Sequence, residues 1–500
     1  MSLSKIQKKI VNTSGNLMVS ASAGTGKTHT MVAKIAREIE ENRTHKTIAA
    51  ITFTIKAAQE IKDRLTTDAY QHFIGTNNSF AIEEIIKPFM KDVYGSEYDI
   101  DMSTDYSAKV ATFDDGIDKI KSECILCSYQ KKENNFVFDL ALSIVKQSSA
   151  CQLYLKSKYF KIYIDEYQDC DKSMHELFMY ICDELKIETF IVGDEKQSIY
   201  MWRGAYPEAF VSIKHKPNFK NIFMGENHRS CQQIQNYSNL LFDNTASQYT
   251  AVSNLNSIII LTAKYDNWAN KIVPLMDINA KTAILRYSND NAGICAHQLS
   301  DNGFECVYIP VIPINEITTN SAWIYMEIAK YIIIDTYSVY DVISEIPVEG
   351  DTSKKVISKI EEKLINICKS TDDKNEFYTQ VNMLAEYLGY QTRNDHIGKL
   401  YKTIKDPKYH PAFYPDKYRH TAITFHSSKG LEFEQVVLFA EDYNLSDNQS
   451  LYNHYVAVTR AKNKLIIVYI NNQSALSYYN NMKKILSKKR LDFRDILTIV

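Results

Sequence analysis

The chain has 500 residues, too many for one ordinary hydrophobic core, so two to four domains are expected. Hydrophobic residues make up 45% and charged residues 24%, the balance of a globular protein, which excludes a disordered or membrane-embedded one. Its 58 basic and 60 acidic residues leave a formal net charge of −2, which excludes a global basic field and leaves local grooves, stacking and backbone amides for any DNA contact.

The amino-terminal MSLSKIQKKI is basic but lacks the apolar stretch of a secretion signal. No run approaches the roughly 18 apolar residues of a membrane span. A cytoplasmic protein without a membrane partner is expected. Nine cysteines, odd in number and scattered, fit free thiols in a reducing compartment. Cys124 and Cys127 form a CxxC with no second pair nearby to complete a zinc or iron–sulfur site.

The first apolar run, residues 17–19, leads into ASAGTGKT at 21–28 and then a helical pattern. Strand, glycine turn and helix together make a phosphate loop, because the helix amino terminus points backbone N–H groups at an anion. Ala21, Ser22, Ala23, Gly24, Thr25, Gly26, Lys27 and Thr28 are therefore candidate ATP-binding residues. Gly24 and Gly26 let the backbone approach the phosphates, Lys27 places a charge on the β and γ oxygens, and the Thr28 hydroxyl is a ligand for Mg²⁺. Ala21 stands where the strict pattern has its first glycine.

Further short β-branched runs follow at 48–51, 162–164, 190–192, 258–261, 283–285, 436–439 and 465–468, many of them trailed by helix-like segments. Such alternation predicts parallel sheets in an α/β protein. Residues 81–158 and 311–410 break the rhythm and read as mostly helical, as in AIEEIIKPFMKDV and KKVISKIEEKLINICKS. The run at 162–164 ends in Asp165-Glu166-Tyr167-Gln168-Asp169. Paired acids at the end of a buried strand suit phosphoryl chemistry, with Asp165 on Mg²⁺ and Glu166 orienting and deprotonating the attacking water.

DEYQD at 165–169 is very close to the DEFQD of the UvrD/Rep/PcrA group of superfamily 1A helicases, and the resemblance continues along nearly the whole chain. It implies two RecA-like P-loop domains: 1–80 with 159–215 as the first, carrying insertion 81–158, and 216–310 with 411–500 as the second, carrying a reduced insertion 311–410. It implies that Gln7 reads the adenine edge. TFTIKAAQEIKDRL at 52–65 and IGTNNSF at 74–80 resemble DNA-contact motifs and nominate Phe53, Thr54 and Thr76; Asn78 replaces a usual histidine. In VGDEKQSIYMWRGA at 192–205, Gln197 would sense the γ-phosphate while Tyr200 and Trp202 would stack on bases.

ENHRS at 226–230 is similar to the family's NYRS, which nominates Arg229 for the γ-phosphate and leaves His228 where an adenine-stacking tyrosine is usual. TFHSSKGLEFEQVVL at 424–438 carries TxHxxKGLEF, with Thr424 and His426 for DNA and Glu432 for ribose. YVAVTRAKNKL at 455–465 makes Arg460 the arginine finger, although NQSLYNH precedes it in place of the usual charged residues.

The resemblance implies an ATP-dependent 3′ to 5′ DNA helicase or translocase using ATP and Mg²⁺ at a site shared by both domains, acting on single-stranded and tailed duplex DNA. The second insertion is shorter than in full-length relatives, and in size the chain resembles the small UvrD-like helicases of bacterial antiphage systems, among them the helicase component of the Gabija pair. That implies a nuclease partner in a hetero-oligomer, for DNA repair or antiphage defence. The alternative is a DNA-activated ATPase subunit that regulates a partner nuclease without separating strands.

Overall fold

The computed structural model describes residues 3–65, 71–131, 133–199, 201, 204–346 and 353–500. The chain divides into two compact units. The first comprises Met1–Ser257, Tyr443–Asn463 and Ser477–Leu497; the second comprises Ile258–Asp442, Lys464–Leu476 and Thr498–Val500.

The first unit opens with helix α1 (Lys5–Asn12), strand β1 (Leu17–Ala21), helix α2 (Lys27–Glu41), strand β2 (Thr47–Thr52), helix α3 (Ile55–Arg64) and strand β3 (Phe73–Thr76). After β4 (Ser103–Val110) and β5 (Ile125–Tyr129) come β6 (Tyr159–Ile164), β7 (Glu188–Gly193) and β8 (Lys220–Met224). Among the described residues six of these strands form one sheet in the order β3-β2-β6-β7-β1-β8. β1 runs parallel to β7 and β8, and β2 runs parallel to β3 and β6.

Parallel strands joined by helical crossovers must be covered on both faces. Their side chains alternate accordingly. Leu17, Val19, Tyr163 and Val192 enter a core with Met31 and Ile35 of α2. Met18, Ile162, Ile164 and Ile191 enter a second core with Phe80, Ile85, Phe136 and Leu140. The stretch 81–158 supplies much of that second core. Its helices include Lys87–Tyr94, Phe113–Glu123 and Phe136–Gln147, as its periodicity predicts, but it also holds the parallel pair β4–β5.

The sheet extends beyond the boundary at 215 expected from sequence. β8 lies beside β1, with Leu17 opposite Lys220 and Ala21 opposite Met224. Only Ile222 and Met224 of KNIFM are buried, so the strand is too short and too polar to stand out as an apolar run.

In the second unit β9 (Ile258–Ala263), β10 (Thr282–Arg286), β11 (Val307–Tyr308), β12 (His420–Thr424), β13 (Phe433–Phe439) and β15 (Thr498–Ile499) join β14 (Ala461–Ile470), which begins in the first unit. Their order is β11-β12-β10-β13-β14-β9-β15. β10 runs parallel to β12 and β13, and β9 to β14 and β15. Helices Ala322–Ile333, Lys354–Lys369, Lys374–Tyr387 and Asn394–Lys405 bury Tyr325, Leu364, Phe377 and Leu400 in a core of their own. The molecule is thus an α/β protein of two RecA-like domains with helical insertions. Among the described residues no helix is long and apolar enough to cross a membrane, and all nine cysteines are free thiols.

Candidate ATP site and DNA-contact residues

In an open parallel sheet, the loops at the carboxyl ends of the strands form the functional edge. β1 ends in the phosphate loop, β2 in Phe53 and Thr54, β3 in Thr76, β6 in Asp165 and Glu166, β7 in Asp194 and Gln197, and β8 in the segment reaching Arg229. The topology therefore brings six separate motifs to one edge.

Gly24 and Gly26 adopt φ of 72° and 79°, the left-handed region that a side chain resists. A Cβ at Gly24 would also lie 2.5 Å from Asn227 Oδ1 and 2.8 Å from Arg229 Cβ. The loop is pinned from several sides. Ser22 N–H donates to Met224 O at 3.0 Å, His228 N–H donates to Gly24 O at 2.8 Å, and Gln7 Nε2 donates to Thr25 O at 3.1 Å. Gln7 also closes a capping box with Ser4 at the start of α1, so its amide holds the loop as well as standing beside it.

Asp165 is 3% exposed; its N–H donates to Ile51 O at 3.0 Å, and its Oδ2 accepts the Thr28 hydroxyl at 3.3 Å. Burial, and then the charge of Glu166, push its carboxyl above the ordinary aspartate range, against the pull of Lys27. A buried carboxylate carrying surplus negative charge beside a hydroxyl suits a hard cation. The residues present therefore fit Mg²⁺, which Thr28 and Asp165 would hold. Glu166 sits at φ 50°, strained for a non-glycine residue, with its Oε1 3.7 Å from Lys27 Nζ. Gln168 Nε2 donates to the other carboxylate oxygen of Glu166.

Gln197 reaches this group through Asp194. Its Nε2 donates to Asp194 Oδ2 at 2.9 Å, and Asp194 N–H donates to Gln168 Oε1 at 2.9 Å. Arg229 Nη1 donates to Thr459 O at 3.1 Å; buried Arg460 donates from Nε to Val456 O at 3.0 Å and from Nη2 to Thr459 Oγ1 at 3.3 Å. The two arginines thus share one helix end, and they belong to the unit that holds the phosphate loop. From sequence both fall in the second domain. Contacts of the segments around them with the phosphate loop, His228 N–H to Gly24 O at 2.8 Å and Ala23 N–H to the Tyr455 hydroxyl at 3.0 Å, outweigh proximity along the chain.

Sequence reasoning missed Asp194, Lys196, Asn227 and Tyr455. All four lie inside the motifs given above, so the signal is present; what no local pattern encodes is the approach of Asn227 to Gly24 and of Tyr455 to Ala23.

The DNA-contact candidates divide differently. Phe53 is partly buried against the second core of its sheet. Thr54 caps α3 by accepting Ala57 N–H at 3.1 Å, and Thr76 caps the helix Asn77–Ala81 by accepting Ser79 N–H at 3.2 Å. In the second unit Thr424 accepts Ser427 N–H at 3.2 Å, and the His426 ring lies 3.8 Å from that of Phe425. These three threonines therefore build turns at the strand ends. Glu432 is exposed just ahead of β13. Tyr200 and Trp202 lie outside the described residues. Arg286, unassigned from sequence, is buried at the end of β10 and pairs with Asp442 at 2.8 Å and Glu441 at 2.7 Å.

A phosphate loop with acidic, glutamine and arginine partners, on one of two RecA-like domains, defines a nucleoside-triphosphate-driven UvrD-like helicase. Comparison with known proteins agrees. The AAA domain family matches residues 6–203, and the UvrD-like helicase C-terminal domain matches residues 420–468. The Gabija protein GajB of Bacillus cereus (strain VD045) is 39% identical over 495 residues, covering 97% of this chain and 99% of that protein. The ATP-dependent DNA helicase PcrA of Staphylococcus epidermidis is 29% identical over 291 residues, 47% of this chain and 39% of PcrA. Its Staphylococcus aureus counterpart is 27% identical over 294 residues. The chain belongs to the GajB family of UvrD-like ATP-dependent helicases.

Proposed function

We propose that the protein is an ATP-driven motor that moves 3′ to 5′ along single-stranded DNA and opens tailed duplexes, serving antiphage defence alongside a DNA nuclease in a hetero-oligomer. The observation that carries this reading is the convergence of Lys27, Thr28, Asp165, Glu166 and Gln197 beside a glycine loop, in a chain of helicase family. Likeness to GajB supports the defence role, and the short second insertion supports a partner.

In this mechanism Thr28 and Asp165 would hold Mg²⁺, which when bound would neutralise phosphate charge. Lys27 and the loop amides take the β and γ phosphates, and Gln7 the adenine edge. Glu166, already oriented by Gln168, accepts the proton of the attacking water. Gln197 senses the γ-phosphate, while Arg229 and Arg460 stabilise charge that develops in the transition state. Glu432 meets the ribose. Phe53, Thr54, Thr76, Tyr200, Trp202, Thr424 and His426 contact single-stranded DNA, with aromatic stacking of about 1–3 kcal/mol per base giving sequence-tolerant grip.

The test is steady-state ATP turnover with and without single-stranded DNA. DNA is expected to raise turnover severalfold; turnover that DNA leaves unchanged would remove the motor reading and leave an ATPase with another trigger.

A further inference from the structure

One side chain outside the assigned set joins the parts of the ATP site. Tyr455 lies on the helix Asn448–Val458, within the same compact unit as the phosphate loop, and is 1% exposed. Its hydroxyl accepts Ala23 N–H at 3.0 Å and donates to Asp194 Oδ2 at 3.1 Å. The same Asp194 oxygen accepts Gln197 Nε2, and Asp194 Oδ1 pairs with Lys196 Nζ at 3.1 Å. Lys196 Nζ also donates to Ser22 Oγ at 3.1 Å and lies 5.3 Å from the Tyr455 ring centroid. At its other end, the Tyr455 carbonyl accepts the Thr459 hydroxyl at 2.8 Å, the residue that both arginines hold. A buried polar network of this kind fixes geometry more than it adds stability.

We propose that Tyr455 is a positioning residue of ATP hydrolysis: its hydroxyl ties the phosphate-loop backbone at Ala23 to the Asp194–Gln197 turn and to the helix end that aims Arg229 and Arg460. This rests on the reading of the ATP site given above. The hydroxyl acts by setting the groups that would meet the phosphates. Burial raises the Tyr455 phenol well above its ordinary range, so it stays protonated and able to donate throughout the working pH range.

The experiment compares wild type with Tyr455→Phe, which deletes the hydroxyl and keeps the ring. Steady-state ATP hydrolysis is measured at saturating single-stranded DNA, and the Kd for a non-hydrolysable ATP analogue is measured directly. With misaligned sensor and arginines, kcat is expected to fall about tenfold while the analogue Kd stays within about twofold. Asp194→Asn reaches the same hydrogen bond from the other side and should also lower kcat. In the double variant the two losses should not fully multiply, because both variants disturb the Tyr455–Asp194 bond, although Asp194→Asn also removes the counter-charge of Lys196. Unchanged kcat in Tyr455→Phe, or equal losses in kcat/KM and analogue affinity, would overturn the proposal. So would fully multiplicative losses in the double variant. If Tyr455→Phe does not fold, the Asp194→Asn split between kcat and Kd decides alone: a loss confined to affinity overturns it. Wild type without ATP turnover would instead bring down the functional reading, and this inference with it.

Discussion

Replacing Lys27 with alanine removes the charge that stands 3.7 Å from Glu166 at the start of α2. ATP turnover is expected to fall by at least about a hundredfold, since one lost electrostatic contact to developing charge costs that much. Glu166→Gln should fall comparably in turnover yet keep nucleotide affinity, because Thr28 and Asp165 would still be there to hold the cation. Near-normal turnover in either variant would contradict the site. These residues were legible in the sequence because their chemistry is written in contiguous strings whose spacing the strand-loop-helix geometry dictates. Tyr455 was not legible as a site residue: its partner Ala23 is 432 positions away. Thr54, Thr76 and Thr424 show a further limit, because one hydroxyl pattern serves both helix capping and a polar contact surface. Their capping bonds are local and visible; contact with DNA would use the remaining lone pairs or the exposed turn they build.

α2 carries the phosphate loop on its first turn and is anchored at its far end by buried charge. Lys34 is 0% exposed and donates to Thr13 O at 2.5 Å, while Glu38 pairs with Lys34 at 2.8 Å and with Lys161 of β6 at 3.0 Å. The Tyr163 hydroxyl also donates to Glu38. Burial alone would raise Glu38, but the Lys161 charge and the bonds from Lys34 and Tyr163 hold its carboxyl below the ordinary range. Glu38→Gln would leave buried Lys34 without its ion-pair partner and Lys161 with Glu188 alone, at 3.2 Å, a loss of about 3 kcal/mol. A depressed carboxyl stabilises the fold above its unfolded pKa, and that stability disappears as pH falls through the folded pKa. Thermal unfolding should therefore show a lower Tm for the variant at pH 7 and a gap from wild type that narrows toward pH 4. A gap independent of pH would contradict the ion-pair account. Strand periodicity made β1, β6 and β7 plain, since fully buried runs such as those in LMVSA and FIVG are dense in apolar residues. β4 and β8 escaped notice because STDYSAKV and KNIFM bury too few side chains to reveal their period.

The assignment of an α/β protein with two sheets followed from the order of apolar runs, but the division of chain between the units did not. Residues 216–257 and the helix Asn448–Val458 belong with the phosphate loop, because tertiary contacts rather than chain order decide where a connecting segment packs. That division places Arg229 and Arg460 beside the loop they are expected to serve, a grouping that residue spacing alone could not reveal. Likeness to GajB spans 97% of this chain and 99% of GajB, whereas the match to PcrA covers 39% of PcrA. The claim that ATP hydrolysis drives directional movement on DNA is tested most directly by strand displacement on two otherwise identical duplexes, one with a 3′ single-stranded tail and one with a 5′ tail. The account predicts ATP-dependent opening of the 3′-tailed duplex alone, lost in Lys27→Ala; opening from the 5′ tail, or none from either while DNA still stimulates ATP turnover, would contradict it.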